Sequence, residues 1–165
     1  METVYLETSF VSLLVGNPSR DLIVAANQQV TRDWWRLRRA EFICIASGEV
    51  ALEAGRGDAE QARRRLEIVR ELTFVAATPA AEALAEAFLA TGALPRHART
   101  DAAHLALATA AGADYLLTWN CRHLANAQIL RRLEREAVRR RWRLPQVCTP
   151  AELMGDLSYE DQSDP

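Results

Sequence analysis

Residues 115–120, Tyr-Leu-Leu-Thr-Trp-Asn, form an apolar run that ends abruptly in a hydroxyl, an indole and an amide. Gly112 closes a helical pattern just before it, and Cys121-Arg122-His123 leads straight into another. A buried strand that hands polar groups to its carboxyl end, between two helices, is how open parallel α/β sheets build their sites. The first residues repeat the design: Thr3-Val4-Tyr5-Leu6 is followed by Glu7-Thr8-Ser9.

Working outward, the same alternation runs through the chain. Thr8-Ser9 offers N-cap chemistry for a helix through Phe10–Val15. Ser19 or Asp21 starts a long helix with Leu22, Ile23, Ala26, Val30, Trp34 and Leu37 near helical spacing, Trp34-Trp35 being a packing pair. Phe42–Ile45 is a second strand, apolar throughout and so expected to be covered on both faces. A short helix carrying Glu49 and Glu53 follows, then a charged helix capped by Asp58. Leu72–Ala76 is a third strand, and Thr78-Pro79 opens a helix to about Ala90. Thr100 is an N-cap candidate for a helix over 101–111, with Asp101 in its first turn. After the strand at 115–118, a helix rich in Arg and Glu is predicted from about His123 to Arg140. Pro145–Cys148 is a fifth strand, and Thr149-Pro150 starts a last helical turn. Strands alternating with helices predict an α/β fold with a five-stranded parallel sheet and helices on both faces. The expected domain is 1–154, followed by a disordered polar tail at 155–165.

Composition constrains the function classes. A chain of 165 residues that is 49% hydrophobic and 25% charged fits one globular domain with an ample core. All 20 basic residues are arginines, against 22 acids, for a net charge of −2. The Arg clusters at 36–39, 63–65, 131–132 and 139–141 can grip phosphates, yet each lies in a Glu-rich helical pattern that reads as a solvated face. Three widely spaced cysteines, Cys44, Cys121 and Cys148, fit neither a disulfide framework nor a zinc site. There is no signal-peptide pattern and no apolar run near the ~20 residues of a membrane span, so the expected location is the cytoplasm. No Walker A pattern is present, which argues against an NTPase.

If the strands ending at Leu6 and Thr118 are neighbours, Glu7 and Asn120 share a crevice. Asp101, one helix upstream of the second strand, sits at the same end, and Glu53 reaches it from the helix after the second strand. Carboxylates that cluster raise one another's pKa and are costly to bury, so a hard dication with oxygen ligands, Mg2+ or Mn2+, is the simple resolution. Such an ion can activate water and clamp a phosphoryl oxygen.

Four blocks in order give this pattern a family resemblance. Val4-Tyr5-Leu6-Glu7-Thr8-Ser9 resembles the opening of PIN-domain proteins, and Ser47 with Glu53 six residues on resembles their second block. Asp101-Ala102-Ala103-His104-Leu105-Ala106 is similar to their Asp-Ala-x-x-Ala helix, and Leu117-Thr118-Trp119-Asn120-Cys121-Arg122-His123-Leu124 to their fourth block. The likeness is greatest to VapC-type toxin ribonucleases. It implies a Rossmann-like fold, Mg2+- or Mn2+-dependent cleavage of RNA, a homodimer and a small antitoxin partner. Carried over, Glu7, Glu53 and Asp101 hold metal and Asn120 assists through its carbonyl or a water. Ser9 and Thr118 orient a ligand or serve as caps, and Glu49 either shares the crevice or lies at the surface. His123, where relatives carry an acid, either touches a substrate phosphate or packs and hydrogen-bonds; His97 and His104 read as structural. The family's first acid is usually Asp, so Glu7 is a methylene longer. Two rival readings stay open: a non-catalytic PIN module that binds RNA or a protein, and a small-molecule phosphohydrolase.

Overall fold

The computed structural model describes residues 1–155, so the tail expected beyond Gly155 lies outside the described residues. The apolar runs become five strands: β1 (Glu2–Leu6), β2 (Phe42–Ser47), β3 (Thr73–Val75), β4 (Tyr115–Leu117) and β5 (Gln146–Cys148). Seven α-helices connect them: α1 (Thr8–Val15), α2 (Leu22–Leu37), α3 (Gly48–Ala54), α4 (Ala59–Arg70), α5 (Pro79–Ala90), α6 (Arg99–Ala110) and α7 (Ala127–Arg139). The sheet has the order β3-β2-β1-β4-β5 and every pair is parallel. This is the five-stranded parallel α/β fold that the alternation predicts, and it is Rossmann-like, as the resemblance implies.

The order also fixes where a site can be. From β1 the chain steps outward to β2 and β3, then crosses back to β4 and β5 on the other side. Right-handed crossovers put the helices of the outward steps on one face and those of the return on the other. Helix contacts agree: α1 packs on α2, α3 and α4, whereas α5 packs on α6 and α7. The reversal falls between β1 and β4, where Tyr5 lies beside Leu116 and Leu6 beside Leu117. The Glu7 N–H donates to the Leu117 carbonyl at 3.1 Å, and Thr118 N–H to that of Cys148 at 3.1 Å. Crevices at such a reversal are where open α/β sheets bind ligands.

Several local expectations hold. Asp21, Asp58 and Thr78 cap α2, α4 and α5 through their side chains, and Thr149 with Glu152 forms a capping box on the final 3-10 turn. Trp34 is fully buried, stacked on Phe42 with centroids 5.6 Å apart and edge-on to Phe10 at 5.4 Å. Its indole N–H donates to the Leu153 carbonyl, tying α2 to the end of the domain. Trp34→Ala is therefore expected to cost about 3–5 kcal/mol, lowering the Tm on the order of 10 °C in thermal unfolding. A Tm within about 2 °C of wild type would show that this aromatic cluster does not carry the α2 contact.

Other expectations are corrected. Leu22 and Ile23 are 85% and 75% exposed, and Ala26 is exposed too. The inward face of α2 instead carries Gln28, Thr31 and Trp34, because polar side chains there bond neighbouring loops. Gln28 donates to the Asn17 carbonyl, and Thr31 Oγ1 accepts from the Trp119 indole at 2.8 Å. β2 is not covered on both faces, since Ile43 is about half exposed near the strand's start. α6 begins at Arg99 with Ala98 at the N-cap position and no side-chain cap, so Thr100 lies within the first turn and does not cap it. α7 begins at Ala127: residues 121–125 are turns, and Asn126, whose side chain accepts from the Gln128 and Ile129 N–H groups, is the cap. The third strand is shorter than expected. No helix among the described residues is long and apolar enough to cross a membrane.

Candidate functional site

β1 runs buried through Val4, Tyr5 and Leu6, and Glu7 then takes an extended conformation at the N-cap position of α1. Its side chain does not cap that helix; it turns toward the end of β4. There its Oε2 accepts from Ser9 Oγ and, at 2.7 Å, from Thr118 Oγ1. Thr118 is fully buried, and its Oγ1 also accepts from the Asn120 N–H at 2.9 Å. Ser9 Oγ in turn accepts from the Trp119 N–H at 2.8 Å. Two hydroxyls thus sew the β1–α1 junction to the loop after β4 and hold Glu7 between them. The capping role considered for Thr8 and Ser9 does not occur, because both hydroxyls are spent on carboxylates.

Asn120 continues the arc. Its Nδ2 donates to Asp101 Oδ1 at 2.8 Å, and its Oδ1 accepts from the His123 N–H at 3.1 Å. The half-buried His123 ring bonds the other Asp101 oxygen, Oδ2, through Nδ1 at 2.8 Å. Asp101, in the first turn of α6, is therefore gripped from both sides by residues of the β4 loop.

One turn along α6, His104 faces the same way and is 1% exposed. Its Nε2 bonds Glu53 Oε2 at 2.8 Å, and its Nδ1 bonds the Tyr5 hydroxyl at 2.9 Å, which also meets Ser47 Oγ at 2.6 Å. Glu53 Oε2 takes a second bond, from Thr8 Oγ1 at 2.6 Å. Burial keeps the Tyr5 phenol protonated far above its ordinary range. Sequence reasoning took His104 as merely structural; it is instead the clamp on Glu53. The available signal was its position three residues after Asp101, on one helical face.

Electrostatics explain the pairing. Burial opposes charge on the His104 ring, but its bond to Glu53 and the fields of Glu7, Glu53 and Asp101 outweigh it, so its pKa is raised. The His104 bond, against the opposing effect of burial, holds the Glu53 carboxyl below its ordinary range, with help from Thr8. A depressed Glu53 stabilises the fold above its ordinary pKa of 4.5 and loses that contribution as pH falls. A raised His104 stabilises below its ordinary 6.5 and loses that contribution as pH climbs through the higher folded value. In the metal-free protein the pair should add most between about pH 4.5 and 6.5. The Tm difference between wild type and His104→Gln, measured in EDTA, should peak in that window; a difference flat from pH 4 to 8 would refute the pairing.

Donor atoms of Glu7, Glu53 and His104 lie within 4.8 Å of one another, so this acidic cluster can hold a metal ion. Both His104 nitrogens are already hydrogen-bonded, which makes it the second support of Glu53. No protein donor among the described residues reaches Oε1 of Glu7 or Glu53, while both Oε2 atoms are held by two donors. Anchored carboxylates with a free oxygen, and no arginine bonded to them, suit a hard dication. Asp101 stands outside that tight trio but close enough for its charge to act on His104. Glu49 is half-buried, makes no hydrogen bond to the arc, and lines the groove between α5 and α6. His97 is exposed, its ring edge-on to His123 with centroids 6.0 Å apart. Cys148 is buried and Cys44 partly so, both thiols raised by burial, to about 12 and about 11. No family model matches the chain, and no curated protein is significantly similar to it.

Proposed function

We propose that this chain is a PIN-type endoribonuclease that uses Mg2+ or Mn2+ and acts as the toxin of a toxin–antitoxin pair. The observation that carries the reading is an arc of two hydrogen-bonded networks at the sheet's reversal, brought together where donor atoms of Glu7, Glu53 and His104 lie within 4.8 Å of one another. One joins Glu53 to His104 and Thr8; the other runs from Glu7 through Thr118 to Asn120 and Asp101. Four ordered sequence blocks that resemble PIN proteins fall on this arc. The toxin role, the antitoxin and a homodimer rest on that resemblance alone.

Glu7, Glu53 and Asp101 would hold the cation. When bound, it supplies a more acidic water and offsets charge on a phosphoryl oxygen. The chain's own residues do the positioning. Ser9 and Thr118 fix Glu7, Thr8 and His104 fix Glu53, and Asn120 and His123 fix Asp101, leaving the carboxylates little freedom to lose when a substrate arrives.

The test is cleavage of end-labelled RNA by the purified protein with Mn2+ or Mg2+, stopped by EDTA, with p-nitrophenyl phosphate left untouched. Turnover of the phosphomonoester with RNA intact would assign a phosphohydrolase instead. RNA intact with no Mn2+ binding would assign a non-catalytic module.

A further inference from the structure

We propose that the groove between the end of α5 and the outer face of α7 is a docking track for the sugar–phosphate backbone of RNA. It rests on the ribonuclease reading and extends it to substrate capture. The groove encloses about 470 Å³, and Arg132, Arg135, Arg139 and Arg140 line it, with Glu136 as its one acid.

The arginine clusters of this chain are not equivalent. In α4, Arg63 and Arg64 are ion-paired to Glu60 and Glu67, and Arg65 donates to the carbonyls of Ala54 and Arg56. That cluster is self-neutralised, as its Glu-rich pattern predicts. From Ala127 to Arg143 there are seven arginines and only two glutamates, in a chain whose net charge is −2. All seven are exposed. Glu136 takes up part of Arg139 and Arg140, and Arg132 donates to the Thr91 carbonyl. Arg131, Arg135, Arg141 and Arg143 make no ion pair among the described residues. The α7 cluster is a solvated face as well, but unlike that of α4 it leaves positive charge unbalanced along one edge of the molecule.

Backbone conformation gives an independent reason. α7 ends in a Schellman motif: Trp142 N–H bonds the Ala137 carbonyl, and Arg141 N–H that of Val138. The residue between must be left-handed, and Arg141 has φ 63°. α6 ends in the same motif, and there the left-handed position is Gly112, with φ 68°. Glycine is free of the strain that a side chain suffers there. Arg141 stands outside the groove lining but adjoins Arg140, so this strained position adds a charge unpaired among the described residues at the groove's end.

Geometry links the track to the site. α7 starts seven residues after Asn120, whose carbonyl holds the turn at Leu124 and Ala125. Its 13 residues extend about 20 Å away from the carboxyl end of the sheet. A polyanion with regularly spaced phosphates matches a row of bidentate guanidinium donors spread over that length.

The experiment is fluorescence anisotropy of a labelled single-stranded RNA 20-mer, in EDTA so that nothing is cleaved, across a salt series. Arg132→Gln/Arg135→Gln/Arg139→Gln should weaken binding about tenfold or more at 0.1 M salt and flatten the log–log salt slope by about 2. Arg141→Gly should flatten it by about 0.7 while raising the Tm by about 2–4 °C, a pairing that a purely structural arginine would not give. Arg63→Gln/Arg64→Gln should leave the slope as it is. An unchanged slope in the triple variant, no RNA binding by the wild type, or an equal loss in the α4 variant each overturns the proposal. Binding of poly-glutamate with the RNA slope unchanged would give the groove to an acidic protein instead. Because binding is read without metal, a failed nuclease reading and a failed track leave different records: the first is lost cleavage, the second an unaltered slope.

Discussion

Asp101→Asn is expected to remove Mn2+-dependent RNA cleavage by about 10³-fold or more, because several kcal/mol of transition-state charge stabilisation go with a cation ligand. The substitution is isosteric, and Asp101 is held by one Asn120 and one His123 bond that an amide can partly keep. The fold should survive. Removing one of three neighbouring carboxylates also relieves like-charge repulsion, so the metal-free Tm should hold or rise. Metal responds in the opposite sense. An ion that binds only the native state raises the Tm with concentration, so wild type should gain stability with Mn2+ and the variant should not. Cleavage that persists in Asp101→Asn, or an unchanged Mn2+-induced shift, would remove Asp101 from the site.

That expectation stands on how the fold assembles the site, and the degree to which this was legible varies by residue. The strands at 3–6 and 115–118 were readable because apolar runs bounded by polar groups have few other uses. Their adjacency followed from the rule that sites open where strand order reverses, and the Tyr5–Leu116 pairing bears it out. Asp21, Asp58 and Thr78 were readable as caps since the chemistry is local. What escaped was non-local. The inward face of α2 is set by Gln28 bonding the preceding loop at Asn17 and by Thr31 meeting the distant Trp119, which no periodicity of apolar residues can register. His104 sits among alanines and leucines and looked like core. Its role depends on Tyr5 and Glu53, from two other elements, meeting its two nitrogens. The start of α7 slipped because the turn at 121–125 is closed by the Asn120 carbonyl, whereas the sequence reads on smoothly from His123.

Glu7→Asp is expected to lower cleavage and Mn2+ affinity about 100-fold, although it substitutes the acid usual in the family that the chain resembles. Removing one methylene withdraws the carboxylate by about 1.5 Å. Glu7 Oε2 now lies 2.7 Å from the fully buried Thr118 Oγ1, and a retreat of that size takes the contact beyond hydrogen-bonding range. The buried hydroxyl then loses that acceptor and keeps only the longer 3.2 Å contact to Ser9 Oγ, at a cost of about 0.5–1.5 kcal/mol in stability. The same retreat draws Glu7 away from Glu53, and misplacing a site group by an ångström is enough to lose about two orders of magnitude in rate. On this account the longer side chain is matched to its surroundings: Ser9 and Thr118 stand where a glutamate, and not an aspartate, finds both. Thr118→Val should reproduce part of the loss without touching an acid, since it removes the donor and leaves the carboxylate long. Activity in Glu7→Asp equal to or above wild type would mean that Oε2 is not held by these hydroxyls during turnover, and the arc from Glu7 to Asn120 would lose its place in the mechanism.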